Sequence, residues 1–393
     1  MRIWLLLAAA ALLADEQVLS TLKQKELQID EKKAKVEASK LETSWINPIN
    51  MSYTYQKGDQ FPNQESQNFV ISIDQPIFKS LGIWEAIKYA KAKRGESLSG
   101  VELKKKELIA QVYKLAYTYK KQQLLLAKQR LALENARIDV EVKKEQYLSG
   151  ELDGTFLDNA ILKKNQLALS LIDLKQNLED TKKALTDLSD RKPEAIKLPH
   201  LQLIPKESFL LNNMEMQKAK KSQEAARHFK NMTISRYLPS LSLFYNYNYQ
   251  KSVGSLFFPG FSYSDHFSTY GFRLTMPLFD INSFKEIESA KLDYIKTKVQ
   301  LLDKKRELAN LFTNVQKKLQ LLQKKVELTK EDIRLYESLV KDTKARLAAG
   351  EKTIYDLKTM QNSLKQKRLD MQIFAIDEQM LLLDLYKRMS DAF

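Results

Sequence analysis

The residue types that most often carry chemistry are scarce in this chain and poorly placed for it. His200, His228 and His266 fall in a linker, a charged helical stretch and a loop, with no spacing that suits a metal ion or a general base. The 393 residues contain no cysteine, which excludes disulfides, thiolate metal sites and a lipid-modified N-terminal cysteine. Met214 and Met216 have the softness for a monovalent metal, but methionines at i,i+2 on a helix point to different faces and read as packing. No glycine-rich phosphate loop, Ser-His-Asp arrangement or close carboxylate pair is present. The chain is therefore expected to be no enzyme and to need no cofactor. The carboxylates that stand out are Asp158 and Asp356, each shortly after a glycine that ends a long helical pattern, Gly150 and Gly350.

A net charge of +15 raises the question of nucleic acid. The lysines are spread along every helical stretch and interleaved with glutamate, as in Glu102 with Lys106 and Glu179 with Lys183. That spacing describes a solvated helical face, so no nucleic-acid partner is expected.

The two glycines end the most regular stretches in the chain. Leu308, Phe312, Val315, Leu319, Leu322, Val326, Thr329, Ile333, Tyr336, Val340, Thr343 and Leu347 step by four and three without a break. That is a heptad seam, and its length predicts a coiled-coil helix. The register recurs two hundred residues earlier, from Leu108 and Val112 through Leu126 and Leu133 to Val140 and Tyr147. Lys104-Lys105-Lys106-Glu107 introduces the first copy and Lys304-Lys305-Arg306-Glu307 the second, so the chain is a tandem duplication.

Residues 1–14 read as a secretory signal: one arginine, a short apolar run, then small residues. The first repeat spans 15–190, with a helix, a β-hairpin over 46–78, a long helix over 83–147 (roughly 95 Å at 1.5 Å per residue) and a helix over 155–189. A linker over 191–206 carries Pro193, Pro199 and Pro205 and has room for a short strand. The second repeat spans 207–393, with an opening helix over Ser208–Ser235, a hairpin over 238–279, a long helix over 284–347 and a helix over 353–389. In the hairpins the period changes to two. Met51, Tyr53 and Tyr55 alternate with Ser52, Thr54 and Gln56, and Leu243, Tyr245, Tyr247 and Tyr249 with Asn246, Asn248 and Gln250. Pro76 is expected to end its strand, because it cannot donate to a ladder.

Strands of about ten residues are long enough to cross a bilayer at a tilt. One face is apolar and aromatic, the other is amide and hydroxyl, and charged helices offer no layer to cover the apolar one. Outer-membrane lipid on one side and water on the other fits this pattern. A membrane sheet must close, and four strands are too few when the smallest barrels have about eight. Three protomers pooling their strands predict a barrel of about twelve. The polar interruptions of the seams (Gln122, Gln129, Lys143, Thr329, Thr343) likewise call for neighbouring helices, arranged as a hollow cylinder.

Tyr237-Leu238-Pro239 before a tyrosine-rich strand, Pro277–Asp280, and the run from Arg346 through Gly350 to Leu357 together resemble the TolC-type outer membrane efflux proteins. The resemblance covers nearly the whole chain. It implies a mainly α fold with a membrane hairpin, a pair of strands, in each repeat, and a homotrimer with a 12-stranded β-barrel and a long periplasmic α-helical barrel. The implied function is an outer-membrane exit duct for small molecules or polypeptides. Its partners would be a periplasmic adaptor (membrane fusion) protein and an inner-membrane RND, ABC or MFS pump. By the same resemblance Arg346, Leu347 and Gly350, with Tyr147, Leu148 and Gly150 in the first turn, form the adaptor-docking tip.

Asp356 matches a position lining the periplasmic aperture in that family. The second acidic position expected there is Thr359, which predicts a less acidic ring. Asp158 is taken as the counterpart of Asp356, and Lys352 or Arg346 as tethers to neighbouring helices. A plain N-terminal role for Asp356 is the competing reading. Two departures stand out. The helix before the first hairpin lacks an Asn-Asn pair, which Asn212-Asn213 supplies in the second repeat, and the first turn carries two extra residues. A periplasmic coiled-coil scaffold, or an adaptor protein, is the alternative without a pore.

Overall fold

The computed structural model describes residues 18–58, 64–254 and 262–390. The expected signal segment, and most of both hairpin loops, lie outside the described residues. The elements in order are α1 (Thr21–Glu42), β1 (Asn50–Gly58), β2 (Gln64–Phe78), α2 (Gly82–Leu148), α3 (Gly154–Thr186), α4 (Lys206–Leu211), α5 (Met214–Ser235), β3 (Ser240–Val253), β4 (Ser262–Thr275), α6 (Ser283–Ala348) and α7 (Ile354–Tyr386).

Two compact units divide them. The first takes residues up to Ile29, Val101–Glu215 and Lys305–Phe393; the second takes Asp30–Gly100 and Met216–Lys304.

The first unit is helical. Its core joins Val18, Leu27, Ile109, Val112, Tyr113, Leu185, Ile196, Leu201 and Leu382. On α6 the heptad seam is legible in burial: Leu308, Phe312, Val315, Thr329 and Thr343 are buried, and every other seam position from Leu319 to Leu347 is half-buried. Side-chain pairs set the helix register. Lys121 meets Asp377 and Lys128 meets Asp370, both at 2.6 Å, tying α2 to α7. Lys367 meets Asp332 at 2.7 Å, tying α7 to α6. Between α2 and α7 the buried Asn362 donates its amide to Asn135 Oδ1 at 2.9 Å. An amide pair with one buried member is satisfied in one register only, so it specifies alignment more than it adds stability.

Several expectations are corrected here. The helix expected over Ser208–Ser235 is broken at Asn212-Asn213. There the chain's last described turn docks: Met214 N donates to Arg388 O (2.8 Å) and Ser390 N to Asn212 O (3.0 Å). Those bonds take up backbone groups that a continuous helix would have used. The linker holds no strand among the described residues but a short 3-10 turn, Pro193–Ala195. It is packed into the unit: Tyr119 Oη donates to Glu194 (2.6 Å), and Leu201 bonds through both its backbone groups to the Gln379 side chain. Burial pushes the Tyr117 phenol up to about 12, and its hydroxyl donates to Pro199 O. Lys106, read as part of a solvated face, is buried, because the first unit closes over that turn of α2. β2 does not end at Pro76. It runs to Phe78, and a register shift between Pro76 and Phe78 absorbs the missing donor.

The second unit carries a single antiparallel sheet in the order β1-β2-β3-β4. In the same unit α2 and α5 pack on each other through Tyr89 and Phe229, ring centroids 5.7 Å apart.

Candidate functional site

Register decides what each face of the sheet presents. Met51, Ile71 and Tyr247 lie opposite one another across three strands, as do Tyr53, Phe69 and Tyr249. Ile73, Tyr245 and Tyr270 continue the row, followed by Leu243 with Phe272 and Leu241 with Leu274. Cross-strand partners share a face, so all of these point one way. The band turns polar toward the hairpin loops, where Tyr55, Gln67, Lys251 and Ser264 are paired and Lys57 meets Glu65 at 3.2 Å. The opposite face holds Asn50, Ser72, Asn246 and Thr269 in one row and Thr54, Asn68, Gln250 and Asp265 in another. On that polar face Arg273 of β4 reaches over the Phe244 ring, 5.0 Å from its centroid, to Asp74 of β2 at 2.6 Å.

The sheet is open. β1 and β4 are its edges, each with one paired side, and the apolar side chains Met51, Tyr53, Tyr270 and Phe272 are exposed. Open edges beside an apolar face cannot be placed in hydrocarbon without a partner to pair them.

The helices repeat that demand. α1 exposes Leu22, Ile29 and Val36, α3 exposes Leu162 and Leu169, and α6 exposes Leu321, Leu328 and Leu335. Each set is spaced by seven, so each forms one stripe along a helix in addition to the face already buried.

Both helical turns lie in the first unit and share one geometry. Gly150 and Gly350 each have φ of +79°, and nothing stands within 4 Å of a Cβ built on either. Gly150 N donates to Tyr147 O and Glu151 N to Gln146 O; Gly350 N donates to Leu347 O and Glu351 N to Arg346 O. This is the glycine-closed helix end that satisfies the last carbonyls. The returning helices then start at Gly154 and Ile354, so the two turns have equal length. The two extra residues expected in the first turn are not there.

That equality moves a residue. Asp356 is six past Gly350, and six past Gly150 stands Phe156, not Asp158. Phe156 is 54% exposed, and Asp158, exposed too, is the counterpart of Lys358. Asp356 closes a capping box: its Oδ2 accepts from Thr353 N (2.9 Å) and Thr353 Oγ1 (3.0 Å), and its own N–H donates to Thr353 Oγ1. The Thr353 N–H holds its carboxyl below the usual range, aided by the Thr353 hydroxyl and by Lys352. In α3 the cap position, that of Thr353, is taken by Asp153, which accepts from Thr155 N at 2.7 Å. Thr359 is half-buried and Lys352 exposed. Arg346, expected as a tether between helices, pairs at 3.1 Å with Asp342 on its own helix. Tyr147 and Leu148 are exposed at the first turn, while Leu347 is half-buried at the second.

His228, given no role on its spacing, has a partner in the fold. It is buried with Nδ1 2.6 Å from Glu85. Its only sequence signal is an imidazole among alanines, Ala225 and Ala226, on a helix otherwise charged.

The four-stranded sheet with long helical hairpins defines the class: the fold is that of the TolC-like outer membrane channels. VceC of Vibrio cholerae, an outer membrane protein, superposes with a TM-score of 0.71 at 15% identity, over 96% of this chain and 95% of that one. The CmeC outer membrane channel of Campylobacter jejuni gives 0.74 at 15% identity, over 97% of this chain and 85% of its own. The MtrE outer membrane channel of Neisseria gonorrhoeae, in its open state, gives 0.67 at 14%, over 95% and 87%. No curated protein matches the sequence itself. Within the chain, residues 207–374 match the family model described as outer membrane efflux protein.

Proposed function

We propose that three copies of this chain close into an outer-membrane exit duct, docked through its helical turns to a periplasmic adaptor and, through that, to an inner-membrane pump. The observation that carries the reading is the open sheet, with β1 and β4 as edges among the described residues and an apolar band stepping across its four strands. Three such sheets joined edge to edge give about twelve strands, lipid-facing outside and lined by amides and hydroxyls within. The exposed heptad stripes of α1, α3 and α6 supply the matching contacts between protomers. Gly150 and Gly350, with Tyr147, Leu148, Arg346 and Leu347, form the docking turns, and Asp356, Thr359, Lys352 and Asp158 lie around the aperture. The duct carries small molecules or polypeptides chosen by the pump.

The test is oligomeric state together with conductance. Purified in mild detergent, the protein should scatter light as a trimer, resist carbonate extraction from membranes and form pores in planar bilayers. A monodisperse monomer released by carbonate and silent in bilayers overturns the reading in favour of a periplasmic scaffold.

A further inference from the structure

Where β2 hands over to α2, the chain exposes Phe78, Leu81 and Trp84. Such a residue set marks the boundary between hydrocarbon and headgroups in a membrane-embedded sheet. One helical turn past Trp84 stands Lys88, its ammonium 4.9 Å above the indole, and Lys91 follows. By rise per residue they lie roughly 6 and 10 Å further along the helix. The headgroup layer is about 5–8 Å deep on each side, so Lys88 falls within it and Lys91 at its outer edge.

Lys88 and Lys91 open onto a cavity of about 270 Å³ whose other wall is α5, with Lys221, Glu224, Arg227 and His228. Four permanent cations face one carboxylate, and that carboxylate is already engaged by Lys221 at 3.0 Å. Among the described residues no carboxylate lies within ion-pair distance of Lys91 or Arg227. The wall is held in place. Glu85 accepts from His228 Nδ1 at 2.6 Å, which leaves Nε2 turned toward Arg227 Nη2, 3.5 Å away. The Lys221 stem lies against Gly95, where a Cβ would come within 3.2 Å of it, so that glycine secures the close approach of α2 and α5.

We propose that this cavity binds a phosphate group, and that its source is the headgroup of an anionic lipid in the leaflet at the helical end of the strands. The lipid as source rests on the membrane reading above; the phosphate chemistry does not. Arg227 offers a planar fork for two phosphate oxygens, and Lys88 and Lys91 add mobile donors from the facing helix. The exposed Trp84 beside Lys88 places an apolar surface where the first acyl carbons would lie.

The experiment uses the full-length protein in an uncharged detergent. Retained dioleoylphosphatidylglycerol is counted by native mass spectrometry, and inorganic phosphate is titrated separately by calorimetry. Lys91→Gln/Arg227→Gln should lower both affinities by about tenfold or more, as expected for lost charge-assisted bonds. Lys298→Gln, an exposed lysine on α6, should change neither. Lys91→Arg/Arg227→Lys keeps the charge and should restore binding, which separates loss of the site from loss of the fold. Phosphate binding without lipid retention upholds the phosphate chemistry and overturns the lipid as its source. Equal binding by the glutamine variant and wild type overturns the proposal outright. Were the protein released from membranes by carbonate, the channel reading would fail while the calorimetric arm still tested the pocket.

Discussion

Phe156 and Asp356 occupy the same place in the two helical turns, each six residues past a glycine held at φ of +79°. Three protomers would therefore present three carboxylates and three phenyl rings at this level, with Asp158 two residues further along the first-repeat helix. Asp356→Ala is expected to raise single-channel conductance or weaken block by divalent and trivalent cations in planar bilayers. Asp356→Asn keeps much of the capping geometry and removes the charge. If Asn behaves as wild type and only Ala differs, Asp356 is a cap and the aperture is governed elsewhere.

The same carboxylate makes the second turn acid-sensitive. Its folded pKa is depressed, first by the Thr353 N–H, so its contribution is present above the unfolded carboxylate value and is lost as pH falls through the folded one. Hydrogen exchange at the Thr353 amide should accelerate below about pH 4 relative to intrinsic rates. Asp153, whose carboxyl is likewise held low by the Thr155 N–H, makes the first turn respond in the same sense, read at the Thr155 amide.

Gly350 has open space around a built Cβ, so substitution there strains the backbone without any clash. Gly350→Val should cost about 1–2 kcal/mol locally, and Gly350→Asn less, since asparagine enters the left-handed region more readily. Export and adaptor crosslinking should fall in the valine variant while the trimer and membrane insertion persist. Dissociation of the trimer instead would make the glycine a fold determinant only.

Asn135 and Asn362 form a satisfied amide pair between α2 and α7. Asn362→Leu leaves the Asn135 amide without that partner, at a cost of about 1–3 kcal/mol. Asn135→Leu/Asn362→Leu should recover most of it. Thermal melts of the two single variants and the double form the cycle, and additive losses would show that the pair does not act as a unit.

On the polar face of the sheet, Asp74 and Arg273 cancel each other's charge. Asp74→Asn should shift reversal potentials toward anion preference and Arg273→Gln toward cation preference. The double variant should return to the wild-type value. Unchanged reversal potentials in both single variants would place the conducting path away from this face.

Repetition and period carry what the sequence determines by itself. A step of four and three residues along α6 cannot be anything but a helix with one buried stripe, and burial follows that seam from Leu308 to Leu347. Alternation over Met51–Gln56 and Leu243–Gln250 sets two faces for each strand before any partner is known, because the side-chain period is two. The likeness to outer membrane efflux proteins over residues 207–374 was legible from short motifs around Pro277 and Gly350. What lay beyond reach was every relationship that depends on residues brought together from distant positions. The break at Asn212-Asn213 follows from backbone groups supplied by Arg388 and Ser390, about 175 residues away by their numbering. The identity of the position facing Asp356 hung on turn length, which φ at Gly150 and the bonds to Gln146 decide. The Glu85–His228 pair joins residues 143 positions apart, and nothing in either neighbourhood announces the other. Local periodicity is written in consecutive residues; burial of a polar group is decided by whichever partner the folded chain delivers.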